Sequence, residues 1–289
     1  LGAYGLGAVA AWVAATLPRL LQCGRWQRVA LLAVLTLPSV AHMGSAGASR
    51  SAGTLEVALL QGNIPQDEKF QPGTGVPLAL DWYRAQLLNS PAALTIAPET
   101  AIPVLPGRLP DGYWDQLSAH FAVPGRAALI GIPTGSFEQG YANSVVGLSS
   151  QAPYRYNKHH LVPFGEFIPF KSLLGGVYQS LNIPLTDFAS GKPDQGVMQV
   201  AGQRLLINIC YEDVFGEELL SRVKDATLLL NVTNDAWYDR SPAAHQHLQI
   251  AQARSAETGR YMLRATNTGM TAIVTANGDV QAALPAFTT

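Results

Sequence analysis

Short apolar runs of strand length recur along this chain with helix-length segments between them, and that alternation constrains its fold more than any other feature. Residues 94–97, 128–132, 144–148, 205–209 and 227–232 are mostly aliphatic or small, as expected of strands covered on both faces. Residues 55–61 read as a further strand, 76–88 as an amphipathic helix, 243–259 as a long helix, and 261–266 and 271–275 as closing strands. Strands interleaved with helices in this way predict an α/β layered fold.

The N-terminal part is of a different kind. Residues 1–18 and 29–49 carry no charge, and Arg19, Arg25 and Arg28 lie between them. Two membrane-spanning helices joined by a short basic loop are expected. The positive-inside rule puts that loop in the cytoplasm and everything after Ser49 on the outer side. The second run is the weaker, interrupted by Pro38 and His42 and trailing into Gly, Ala and Ser. A signal peptide is excluded, because its charges precede the apolar run; a buried helical hairpin is the alternative. Residues 44–54 (GSAGASRSAGT) form a small-residue linker. The expected organisation is therefore 1–43, two transmembrane helices, then the linker, then one domain over 55–289.

The 289 residues are 48% hydrophobic and only 13% charged, with a net charge of -1. Ordinary globular chains carry about 25% charged residues, so the deficit points to membrane contact. The neutral balance and the lack of basic runs argue against nucleic acid as a partner. Of the two cysteines, Cys23 lies between the apolar runs and Cys210 deep in the globular part. On opposite sides of a membrane they cannot pair, which leaves Cys210 a lone thiol.

Cys210 stands where the run 205–209 breaks into polar residues. Glu99 stands in the same relation to 94–97, and Lys158 follows the aromatic approach Tyr154-Arg155-Tyr156-Asn157. A residue at a strand exit is held rigidly at the rim of a cleft, so these three offer a thiol, a carboxylate and an amine. A free thiol is only a few per cent ionised at neutral pH. Glu99 can take its proton, and Lys158 can stabilise both the thiolate and a developing oxyanion. His245 and His247 form an HxH whose rings point different ways on one helix and which lacks the further ligands zinc needs, so both read as surface or supporting residues. Arg260 and Arg264 read as internal ion-pair partners, with a phosphate head group as the alternative, and Trp237 and Tyr238 fit packing and substrate contact equally. Residues 170–187, apolar with scattered Gly and Pro, read as a lid or membrane-facing loop.

Glu, Lys and Cys in this chain order, each after a strand-like run, resemble the nitrilase, or carbon-nitrogen hydrolase, superfamily. Seven segments resemble the bacterial apolipoprotein N-acyltransferases within it: QGNIPQ at 61–66, PETAIP at 98–103, YNKHHLVPFGEFIP at 156–169, CYE at 210–212, NDAW at 234–237, HQH at 245–247 and RATNTG at 264–269. The resemblance covers the chain from about residue 55 onward and is most specific in the lysine segment. It implies a nitrilase-like α/β/β/α sandwich preceded by two transmembrane helices. The implied setting is a multi-pass protein of the bacterial inner membrane with its catalytic domain on the periplasmic side.

The resemblance also implies a two-step acyl transfer. Cys210 attacks the ester of a phospholipid donor, typically phosphatidylethanolamine, and the thioester then passes its acyl chain to the free amine of a diacylglyceryl-modified apolipoprotein. Glu99 matches the family's general base, Lys158 its oxyanion-stabilising lysine and Cys210 its nucleophile. Glu166 matches a supporting glutamate that orients Lys158 or the base, and Tyr211 and Glu212 match residues the family also depends on. No metal or organic cofactor is implied, and a monomer is expected.

There are two departures. Ala97 stands where the family commonly has Trp, which is expected to reshape one wall of the acyl pocket. The family's membrane part has more helices, and a further helix follows its catalytic domain, so sequence is expected beyond both ends of this chain. One rival reading is an amidase acting on a small soluble amide with the same three residues. The other is a membrane-tethered binding module without activity. The apolar N-terminal runs argue against the first, and the intact Glu99, Lys158 and Cys210 against the second.

Overall fold

The computed structural model describes residues 2–16, 18, 24–45, 49–136, 138, 140–170 and 188–289. The chain divides into two compact units, Leu1–Ser51 and Ala52–Thr289. Cys23 and residues 171–187, most of the expected lid, lie outside the described residues.

The first unit holds helices α1 (Gly2–Thr16) and α2 (Arg25–Ser45). The uncharged runs are thus helical, but among the described residues no helix is long and apolar enough to cross a membrane. Length is the reason for α1: its 15 residues span about 22 Å against a hydrocarbon core of about 30 Å.

The second unit is built on two sheets. The first has strand order β1-β2-β3-β4-β5, comprising Val57–Leu59, Leu94–Ile96, Ala127–Ser136, Gly140–Ser149 and Tyr154–Asn157. The second has order β11-β10-β9-β8-β7-β6, comprising, in sequence order from β6, Met198–Val200, Gln203–Ile209, Leu228–Thr233, Tyr261–Thr266, Ala272–Val274 and Val280–Ala283. Strands β1, β2 and β3 are parallel, as are β7, β8 and β9, and the remaining pairs are antiparallel.

Alternation along the strands explains the layering. Leu94, Ile96, Leu129 and Tyr156 meet Leu205, Ile207, Ile209, Leu230 and Val232 in one core between the sheets. The alternate neighbours face outward: Ala128, Ile130 and Ile132 pack under helices α3 (Gly75–Asn89) and α4 (Tyr113–Phe121) through Ala79, Tyr83, Leu117 and Phe121. On the far side Leu206, Leu229 and Met262 pack against Leu219 and against Leu248 and Ala251 of α5 (Ala243–Thr258). Each sheet is covered on both faces, and the result is an α/β/β/α sandwich.

The structure departs from the sequence reading in places. Runs 128–132 and 144–148 are pieces of a long hairpin in which β3 and β4 each have 10 residues. Their polar, glycine-containing ends are paired from Ser136 with Gly140 onward, so cross-strand hydrogen bonds hold backbone beyond the apolar runs. The run 55–61 pairs only over Val57–Leu59. The strands β6 and β11 and helix α4 were not foreseen.

Candidate active site

Strands β2, β5, β7 and β8 end on the same edge of the sandwich, and each strand exit delivers part of one polar cluster. Beyond β2, Ala97 and Pro98 carry Glu99 across β3. That crossing requires glycine at 131, where a Cβ would lie 2.7 Å from the Thr100 nitrogen and 2.8 Å from Glu99 Cα. Glu99 is buried. Its Oε1 accepts from Asn143 Nδ2 at 2.6 Å, and its Oε2 accepts from the Asn234 N–H at 2.8 Å.

Lys158 follows β5 and is also buried. Its Nζ donates to Glu166 Oε1 at 2.9 Å and stands 3.5 Å from Glu99 Oε1. Glu166 is held in turn by Asn143 Nδ2 at 3.1 Å and by the Val162 N–H at 2.9 Å. Burial by itself lowers the pKa of Lys158, but the charges of Glu99, Cys210 and Glu166 outweigh it and hold the amine well above the usual lysine range. Lys158 is therefore a fixed cation between two carboxylates.

Cys210 is where β7 turns into the 3-10 segment Cys210–Val214. Its φ of 56° lies in the left-handed region that side-chain-bearing residues avoid. The cost is on the order of 1–3 kcal/mol, and outliers of this kind cluster at functional sites. The thiol is a free one. Burial raises its pKa and the charge of Glu99 raises it further, while Lys158 and a hydrogen bond from Thr233 offset this only in part. The thiol is thus protonated at neutral pH and needs a base.

Glu212 ties the two sides of the cluster together. Its Oε2 accepts from Ile209 N–H at 2.7 Å and Tyr156 Oη at 3.0 Å, and its Oε1 from His159 and His160 N–H at 2.7 and 3.0 Å. One carboxylate therefore holds the residue before Cys210 and the residues after Lys158. Burial raises its pKa, and the backbone hydrogen bonds and Lys158 oppose the rise. Tyr211 donates from its hydroxyl to the Leu161 carbonyl at 2.7 Å, and Lys158 Nζ lies 5.6 Å from its ring centre. All six residues singled out from the sequence thus share one cluster.

Other residues have different fates. His245 is exposed, whereas His247 is buried and paired with Asp235 and Asp213. Arg264 forms the expected ion pair, with Asp235 at 3.0 Å, while the partners of Arg260 among the described residues are backbone carbonyls, Ala226 at 2.9 Å among them. Trp237 and Tyr238 are exposed rather than packed. Ala97 is wholly buried in the core beneath α3 and α4.

Sequence reasoning missed Asn143, Asn234 and Lys69. The first is a carboxamide inside a strand, a departure from apolar alternation that could have flagged it. Lys69 sits in a charged stretch that reads as solvated, yet it is wholly buried and its Nζ donates to the Glu99 carbonyl at 3.2 Å. Burial lowers its pKa to about 8 against the opposing pull of Glu99.

A cavity of about 470 Å³ opens beside the cluster. Its lining includes Phe70, Val76, Val104, Leu105 and Phe188, together with Asn143, the residue that bonds Glu99. Its size is within the range of small-molecule sites.

A model of the carbon-nitrogen hydrolase family matches residues 56–289. The chain is 45% identical to an apolipoprotein N-acyltransferase of Verminephrobacter eiseniae over 96% of its own length and 55% of that protein's. It is 44% identical to one of Chromobacterium violaceum, over 95% and 54%. The chain thus spans about half the length of the relatives it matches. Among solved structures, a CN-hydrolase superfamily protein from Xanthomonas campestris aligns with a TM-score of 0.58 at 20% identity, covering 80% of this chain and 86% of that one. An amidase from Nesterenkonia sp. aligns with a TM-score of 0.58 at 17% identity, covering 84% and 90%. At that identity the likeness is one of fold.

Proposed function

This chain belongs to the carbon-nitrogen hydrolase family, and from that premise we propose that it carries the catalytic domain of a phospholipid:apolipoprotein N-acyltransferase. The reading draws on the relatives that bear that name. The observation that carries it is the largely apolar cavity that meets the Glu99 cluster at Asn143, which suits a hydrocarbon chain better than a small polar amide.

In this reading Glu99 takes the thiol proton of Cys210, and the thiolate attacks the sn-1 ester carbonyl of a phospholipid such as phosphatidylethanolamine. A C–S bond forms, and the carbonyl electron pair moves onto oxygen beside Lys158. As that pair returns, the ester C–O bond breaks and the leaving alkoxide takes the proton from Glu99, giving a lysophospholipid and a thioester. The amine of a diacylglyceryl-modified cysteine on the acceptor lipoprotein then attacks. Glu99 removes its proton, an amide C–N bond replaces the C–S bond, and the proton returns to the departing thiolate. Glu166 and Asn143 hold Lys158 and Glu99 in register. An apolar cavity keeps water from the thioester, which would otherwise be hydrolysed.

The setting proposed is the periplasmic face of a bacterial inner membrane, with α1 and α2 belonging to its membrane region and the enzyme working as a monomer. The uncharged runs around Arg19, Arg25 and Arg28 support this orientation. So do the aromatic side chains Phe70, Phe164, Phe170, Trp237 and Tyr238, exposed on segments that follow strand ends.

Intact mass spectrometry of the full-length protein after incubation with phosphatidylethanolamine tests the reading, with Cys210→Ala as control. A mass increase of one acyl chain, removed by hydroxylamine and absent in the control, is expected. Absence of the adduct together with Cys210-dependent hydrolysis of small amides would replace it with an amidase.

A further inference from the structure

Behind Cys210 lie four buried charged side chains: Asp213 and Asp235 from the turns after β7 and β8, His247 from α5, and Arg264 from β9. His247 Nδ1 is 2.8 Å from Asp235 Oδ1, and its Nε2 is 3.1 Å from Asp213 Oδ1. Arg264 donates to Asp235 Oδ2 at 3.0 Å and stands 3.5 Å from Asp213 Oδ2. Gly269 makes room for this network, since a Cβ there would lie 3.0 Å from Asp235 Cγ. Ionised carboxylates only accept hydrogen bonds, so both ring nitrogens of His247 carry hydrogen. Two carboxylates, a guanidinium and an imidazolium then sum to zero, which keeps the cost of burial down. Burial and Arg264 pull the His247 pKa down, but Asp213 and Asp235 outweigh them and raise it to about 9.

The network converges on one atom. The Cys210 carbonyl oxygen accepts from Asn231 Nδ2 at 2.8 Å and lies 3.3 Å from His247 Nε2. Arg264 fixes Asn231 in turn, donating to its Oδ1 at 2.6 Å. In a planar trans peptide the carbonyl and the next N–H point in opposite directions. Tying the Cys210 carbonyl to the network therefore turns the Tyr211 N–H away from it.

We propose that His247 is a positioning residue for acyl transfer: with Asn231 it fixes the Cys210–Tyr211 peptide so that the Tyr211 N–H joins Lys158 in meeting the oxyanion. This rests on the thioester reading. As the C–S bond forms, the carbonyl pair moves onto oxygen and both donors receive it; the pair returns when the alkoxide leaves with the proton that Glu99 took from the thiol. Loss of the His247 proton leaves one carboxylate without its donor and frees the peptide to rotate. The network reaches the thiol through Thr233, which donates to Asp235 Oδ1 at 3.4 Å, and through the charge of Asp235, rather than through His247 itself.

That separation sets the test. Alkylation by iodoacetamide displaces iodide at a saturated carbon and develops no oxyanion, whereas acylation by a p-nitrophenyl butyrate ester does. In the full-length protein, His247→Gln is expected to slow acylation by about ten- to a hundredfold, with KM changed less than about threefold and alkylation less than about twofold. In the unmodified protein the ratio of acylation to alkylation is expected to fall as pH rises through about 9, and that limb should vanish in His247→Gln. Lys69, near 8, is present in both proteins, and Tyr211 titrates at about 12, so neither produces a limb lost only in the variant. The proposal is overturned if the variant acylates at the normal rate, if acylation and alkylation fall together, or if the ratio in the unmodified protein does not bend. Failure of the thioester reading is separate: phosphatidylethanolamine would give no adduct while both small reagents still report.

Discussion

At the scale of single residues, the cluster is held by carboxylates whose oxygens accept from several donors at once. Glu212 shows this best: both of its oxygens receive two donors, and an amide can supply only one accepting oxygen. Glu212→Gln is expected to cost about 2–4 kcal/mol in denaturant unfolding, because its NH₂ group would face N–H donors. It should also reduce acylation, since it anchors the backbone beside both Cys210 and Lys158. The thiol makes a second prediction. With its pKa raised by burial and by Glu99, the thiolate fraction stays low at neutral pH. Its alkylation rate should therefore keep climbing past pH 8.5, about where a free cysteine's rate levels off. A plateau near that value, measured by alkylation kinetics, would contradict the raised pKa.

At the scale of elements, two contacts decide where functional groups stand. Gly131 lets the Glu99 segment cross β3, and Gly131→Ala would force that segment outward. The expected effect is a loss of about 1–3 kcal/mol by overpacking, with a larger proportional loss of thioester formation than Tm alone would suggest. Helix α5 contributes a pH-dependent term through His247. Its folded-state pKa of about 9 lies above its ordinary 6.5, so the stabilisation is complete below 6.5 and is lost as pH rises through 9. The difference is worth on the order of 3 kcal/mol. The thermal midpoint should therefore decline between pH 6.5 and 9, and should do so far less in His247→Gln.

At the scale of the whole molecule, the sandwich gathers its strand exits on one edge and leaves aromatic side chains exposed around them. Trp237 is 72% exposed and Phe170 73%, unusual for residues of this size unless they meet a surface. In the proposed setting that surface is the bilayer, where Trp and Phe favour the interface. Trp237→Ser should weaken partitioning of the protein onto phosphatidylethanolamine vesicles severalfold while leaving Cys210 alkylation unchanged. Equal partitioning of the two proteins would remove this rim from the membrane contact.

Local pattern determined a good deal by itself. Runs such as 205–209 and 227–232 read as strands covered on both faces, because mostly aliphatic stretches of strand length leave little side to give to water. The positions of Glu99, Lys158 and Cys210 at strand exits followed from where each run turned polar, and the motifs around them pointed to one site. Tertiary structure decided what depends on distant partners. The ends of β3 and β4 became strand because each supplied the other's hydrogen bonds. Lys69 left a solvated-looking stretch to donate to the Glu99 carbonyl, and Ala97 was buried beneath α3 and α4. His247 became a buried ion because Asp213 and Asp235, 34 and 12 residues away in sequence, were folded against its two nitrogens. A charge in low dielectric is set by what surrounds it in space, and no local window of sequence contains that surrounding.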